Sequence, residues 1–140
     1  MTFTSLDHYE QFIYTLQVSY PIVQSSTLVL VRLGHSLATV RGEVFFDKGV
    51  RLAVRESILA LAEVEITFYG YEVWRDAKLL YWYDSQPHPD NPALASTHPH
   101  HKHVHPNIKH NRIPAPGLSF TQPNLPFLIE EIMRSLLTEN

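Results

Sequence analysis

From residue 27 to residue 84 the chain is a succession of short apolar-polar alternations punctuated by tight-turn signals, and this limits the fold more than any other feature. "TLVLVRL" is a β-branched run, and "LATVRGEVFF" is another, broken at Gly42. "DKG" at 47–49 is a hairpin signal, because glycine takes a positive φ without strain. Beyond it Val50, Leu52, Val54 and Ile58 alternate with Arg51, Arg55 and Ser57, which predicts one buried face and one face carrying two arginines. "EVEITFYGYEVW" and "KLLYWYD", joined by "RDAK", form a further aromatic-rich hairpin. Connections this short cannot support parallel crossovers, so the pattern predicts a four- to five-stranded antiparallel β-meander.

Helices flank it. Leu6, Tyr9, Ile13, Leu16 and Tyr20 make an apolar stripe that predicts a helix over 4–20, capped by Thr4 or Ser5 and ended by Pro21. "NLPFLIEEIMRSLL" predicts a C-terminal helix with Asn124 as cap, Pro126 in the first turn, and Leu125, Leu128, Ile132 and Leu136 as its stripe. Between Asp84 and this helix the composition shifts: eight of the ten prolines and seven of the nine histidines lie there. Residues 85–124 therefore read as a long histidine- and proline-rich loop or arm. The expected architecture is α+β: an N-terminal helix, the meander, the arm and a C-terminal helix, in one domain spanning 1–140.

The absence of cysteine excludes disulfides, thiolate metal sites and a cysteine nucleophile. A net charge of -3 gives no broad basic field, so a nucleic-acid role requires a local patch. The start "MTFTSLDHYEQF" has no signal-peptide character and no run approaches a membrane span, so a cytoplasmic, membrane-free protein is expected. There is no G-x-S-x-G elbow and no glycine-rich phosphate loop. An exposed antiparallel edge strand leaves room for a homodimer.

The chemistry is concentrated in "THPHHKHVHPNIKH", with six histidines in fourteen residues. Two readings compete. As a metal tract, His98, His100, His101 and His103 supply imidazoles for zinc, with Asp84, Asp90 or His88 completing the shell. As a metal-independent acid–base arm, His101 and His103 flank Lys102, with Lys109, His110 and Arg112 behind them and Arg51 and Arg55 on the sheet's polar face. A purely structural role, with Asp84 and histidines bracing the proline-rich backbone, accounts for any single member. Most of Tyr69, Tyr71, Trp74, Tyr81, Trp82 and Tyr83 are expected to pack the sheet, with one or two left to stack on bases.

The segments "YWYDSQPHP" and "HPHHKHV" resemble the TumE-like toxins of bacterial toxin–antitoxin modules. Tyr83, Asp84, Pro87, His88 and Pro89 match the first part of that family's pattern, and Pro99, His100, His101, Lys102 and His103 the second. "GEVFFDKGVRLAVRE" is similar to its Gly-x-Val-x-Phe-x-x-Gly-x-x-Leu-x-x-x-Glu hairpin through Gly42, Phe46, Gly49, Leu52 and Glu56. The likeness covers roughly residues 40–134 and departs from the family at Pro89, where a second histidine is common, and in "DNPALAST". The resemblance implies a growth-inhibiting toxin neutralised by a helix-turn-helix antitoxin. Fold-level analogy with toxin nucleases adds an expected endoribonuclease activity on RNA. In that scheme His101 and His103 transfer protons, Lys102 and Arg55 hold phosphate with Arg51, Lys109 and Arg112 in support, and Asp84 and His88 orient the site. The alternative is a non-catalytic interaction domain whose arm binds zinc or a partner protein.

Overall fold

The computed structural model describes residues 3–138. Among them, eight strands form one antiparallel sheet: β1 (Ser25–Ser26), β2 (Val29–Arg32), β3 (Leu37–Phe45), β4 (Val50–Ala60), β5 (Val64–Arg75), β6 (Lys78–Asp84), β7 (His101–His103) and β8 (Arg112–Pro114). Strands β3 to β8 lie side by side in sequence order, while β1 and β2 both pair with β3. The expected meander is present as β3–β6, with turns at Lys48–Gly49 and Asp76–Ala77. The sheet is wider than the sequence indicates because both flanks add to it.

Gly42 does not break β3. Its φ of +138° is open to glycine, and a Cβ there would stand 2.6 Å from the Thr27 carbonyl oxygen. The interruption falls instead on the neighbouring strand, which is divided into β1 and β2 where Thr27 and Leu28 pass over this glycine. The helix expected over 4–20 is likewise divided, into α1 (Leu6–Tyr14) and α2 (Leu16–Ser19). At Thr15 the hydroxyl bonds back to the Gln11 carbonyl at 2.7 Å, and the backbone N–H is shared between the Gln11 and Phe12 carbonyls. This competition tightens and interrupts the turn. Ser5 is the cap, accepting from the His8 N–H at 3.0 Å.

The helix over Leu125–Ser135, α3, shares one face of the sheet with α1. It buries Leu125, Leu128, Ile129 and Ile132 completely, each a contribution of about 1.5–3 kcal/mol from apolar transfer. Asn124 stands before it but does not cap it. Its side chain accepts from the Ser119 N–H and donates to the Ser119 carbonyl and to the Tyr71 hydroxyl, entirely buried. Tyr71 in turn donates to Glu56 at 2.5 Å, as does Tyr9 of α1. A polar chain Tyr9–Glu56–Tyr71–Asn124 thus runs through the core between the two helices. Burial raises the Glu56 pKa above the ordinary carboxyl value, although both tyrosines act to lower it.

Residues 85–124 are not a free arm. The 3-10 helix Pro92–Thr97 packs on β8, its Leu94 is buried, and β7 and β8 extend the sheet past β6. No helix among the described residues is long and apolar enough to cross a membrane.

Candidate functional site

Residues paired directly across an antiparallel sheet project to the same face. One transverse row of this sheet reads Arg41–Arg55–Gly70–Asp84–His101–Pro114. It lies on the face opposite α1 and α3. The next positions on that face add Trp82, His103 and Arg112. At Gly70 a Cβ would lie 2.8 Å from Arg55 Nη2, so the missing side chain lets the guanidinium lie across the sheet in the direction of Asp84.

Asp84 is the hub. Its Oδ2 accepts from Trp82 Nε1–H at 3.1 Å and its Oδ1 from the Gln86 N–H at 3.0 Å. His101 Nε2 stands 2.9 Å from Oδ1, and His103 Nε2 3.4 Å from Oδ2. The first separation is that of a hydrogen bond, but the ring's N–H direction does not follow it, and this buried nitrogen has no hydrogen-bond partner among the described residues. The approach is therefore one of charge and position. Burial opposes ionisation of Asp84, yet His101, Gln86 and Trp82 outweigh it and bring the pKa to about 2. Burial pulls the His101 pKa down, and Asp84 with the Pro99 carbonyl outweighs that and raises it. His103, His88 and His100 are all lowered, burial being the leading cause in each.

The opposite ring nitrogens are also engaged. His101 Nδ1 lies 3.0 Å from the Pro99 carbonyl and His103 Nδ1 2.9 Å from the Ile108 carbonyl. A carbonyl only accepts, so both Nδ1 atoms carry the proton. The residues are 1% and 3% exposed, and Trp82 stacks on His103 at 3.9 Å. Neither ring keeps a free nitrogen for a substrate proton outside the Asp84 cluster. His88 sits edge-on to His101 at 4.8 Å and is partly exposed, with no hydrogen bond to its ring among the described residues. The two buried rings are thus held by backbone carbonyls, and His88 is the open one beside them.

Other expected members are dispersed. Lys102 falls on the opposite face, as alternation within β7 requires, where it pairs with Glu131 of α3 at 3.3 Å and lies over Tyr81. It ties the sheet edge to the helix and does not join His101 and His103. Lys102→Met is accordingly expected to lower stability by about 1–3 kcal/mol, read by urea unfolding, while leaving any activity of the folded protein within twofold of wild type. Arg51 is held at the far end of the sheet by Glu43 at 2.8 Å and the Asp76 carbonyl at 2.7 Å, against Trp74. Lys109 is exposed in the loop between β7 and β8, and Asp90 in the turn after Pro89. Arg112 stands opposite His103 on the neighbouring strand, and its Nε is buried without a hydrogen-bond partner among the described residues.

Of the tract His98, His100, His101 and His103, only the last two converge. His100 stacks on Tyr69 and bonds its hydroxyl at 2.6 Å, and His105 braces the Leu79 carbonyl at 2.8 Å. Asp84, His101 and His103 instead place three donor atoms within 4.8 Å of one another. Sequence names Trp82 only among the aromatics that pack the sheet or stack on bases, not as a partner of Asp84, and gives no signal for the carbonyls of Pro99 and Ile108. Trp82 was within reach, since it stands two residues before Asp84 on one strand and so shares its face.

No curated protein and no solved structure matches the chain. A family model described as toxin TumE matches residues 11–136, which takes in the sheet, every residue of the Asp84 cluster and α3. The chain belongs to the TumE toxin family and is a toxin of a toxin–antitoxin module.

Proposed function

We propose that this toxin is an endoribonuclease that receives an RNA strand across the helix-free face of its sheet. The supporting observation is the transverse row in which Arg55, Gly70, Asp84 and His101 follow one another, with Arg112 beside His103. It brackets a rigid carboxylate–imidazole floor with a guanidinium on either side. Cleavage by the neighbouring 2′-hydroxyl requires a group that takes its proton, cations that hold the phosphate, and a donor to the departing 5′-oxygen. Arg55 and Arg112 suit the phosphate, since guanidinium matches its oxygens in pairs. His88, open beside the cluster, is the proton-transfer residue. The protein that restrains this activity is an antitoxin, and the resemblance points to a helix-turn-helix protein as its class.

Induced expression of the full chain, with growth and total RNA followed together, tests this reading. Growth is expected to stop as RNA fragments accumulate, and the purified protein is expected to cleave RNA and to lose that activity in Arg55→Ala. Growth arrest with intact RNA, and no cleavage by purified protein, would overturn it in favour of a toxin that acts by binding.

A further inference from the structure

We infer that Asp84, His101 and His103 form a binding site for one divalent transition-metal ion of the zinc class, with a coordination position left open next to His88. With both Nδ1 atoms donating to backbone carbonyls, a neutral ring presents its Nε2 lone pair inward, and in each ring that atom faces Asp84. Two Nε2 lone pairs crowded against a carboxylate repel, and because the His101 Nε2 axis passes beside Oδ1 rather than through it, a cation lying among the three groups satisfies them all. His101 Nε2 shows the problem most clearly, being buried and without a hydrogen-bond partner among the described residues although 2.9 Å from a carboxylate oxygen.

The spacing fits. Donors around a tetrahedral ion at zinc–nitrogen and zinc–oxygen distances stand about 3.4 Å apart. The Nε2-to-carboxylate separations here are 2.9 Å to Oδ1 and 3.4 Å to Oδ2, and with one oxygen taken the three donor atoms lie within 4.8 Å of one another, so a small closing of the rings brings them onto one ion. The outer partners fit as well. Histidine ligands commonly donate their second N–H to a backbone carbonyl, and ligating carboxylates are themselves hydrogen-bonded. Here the carbonyls are those of Pro99 and Ile108, and the carboxylate is held by Trp82 and Gln86. Nitrogen and oxygen donors without sulfur favour zinc, manganese, iron or cobalt over copper(I). Three protein ligands with one vacant position are the arrangement of catalytic rather than purely structural zinc.

The inference uses the same residues as the ribonuclease reading but does not depend on RNA, and it is tested without any. The full chain is dialysed against zinc and the metal per chain is measured. In parallel, cobalt(II) is titrated in and its visible absorption recorded. One ion per chain is expected, with an intense cobalt band of low coordination number. Asp84→Asn and His103→Ala are expected to weaken binding at least about tenfold, whereas His98→Ala and His110→Ala leave it unchanged. Far-ultraviolet circular dichroism confirms that each variant is folded. The cobalt spectrum of the wild type stands independently of any variant. Failure to retain zinc, a weak cobalt spectrum of the hydrated ion, or binding that survives Asp84→Asn but disappears in His98→Ala and His110→Ala would each overturn the site.

Discussion

Asp84→Ala is expected to abolish growth inhibition and to reduce RNA cleavage by at least about a hundredfold, the scale on which removing a central electrostatic group acts. Asp84 is where the elements of the site meet. Trp82 and Gln86 donate to it, and both buried imidazoles are set against its two oxygens. Without the carboxylate the indole N–H loses its acceptor, and the imidazoles face each other with nothing between them. The fold should survive, because the ladders from β5 through β6 to β7 are backbone bonds and the Asp84 side chain lies on the face away from the helices. The readouts are colony formation under induction, a cleavage rate on a defined RNA, and a melting curve. An Asp84→Ala protein that is folded and fully toxic would remove Asp84 from the active centre.

The second large effect concerns the opposite face. Glu56→Leu is expected to cost roughly 2–5 kcal/mol, a large fraction of the stability of a small domain. Among the described residues, Tyr9 would lose the one acceptor of its hydroxyl, and Tyr71 would keep the bond from Asn124 alone. Glu56→Gln keeps an acceptor and isolates the effect of charge. Because the folded pKa of Glu56 is raised, the native state holds a proton that the unfolded chain has already released. Stability from this group is therefore full below the ordinary glutamate pKa and declines as pH rises toward the folded value. Urea unfolding from pH 4 upward should show that decline in the wild type and a flatter profile in Glu56→Gln. Equal slopes in both would mean that Glu56 is not the group responsible.

Glu56 also shows what sequence can and cannot give. It occupies the buried register between Val54 and Ile58, so alternation alone marks it as an inward carboxylate. What alternation cannot supply is its partners, which come from α1 and from β5. The same division holds at the site. Period two places His101 and His103 on one face and Lys102 on the other, and it pairs Trp82 with Asp84. The row from Arg55 to His101 needs the registers of three strand pairs, which depend on turn lengths and on two register shifts, between Ser57 and Ile58 and between Val73 and Trp74. Proline content points to an arm over 85–124, because short strands flanked by proline give almost no signal of their own. Those strands form here because the edge of β6 offers unpaired backbone groups to HKH, and the far edge of HKH in turn offers its own to RIP, whose Pro114 at the end contributes only a carbonyl.

The transverse row makes strand spacing the ruler of this protein. Arg55 and Asp84 are separated by two strand steps, about 10 Å, and that interval is set by backbone hydrogen bonds rather than by rotamers. Substitution can change what stands at each mark but not the distance between marks. One residue inserted within β6 would turn Asp84 toward the helices and send Tyr83 to the opposite face, dismantling the site without replacing any member of it. Changes of length are compatible with this site only outside the ladders and away from Gln86, His88 and Ile108, as at the exposed turn of Pro89 and Asp90.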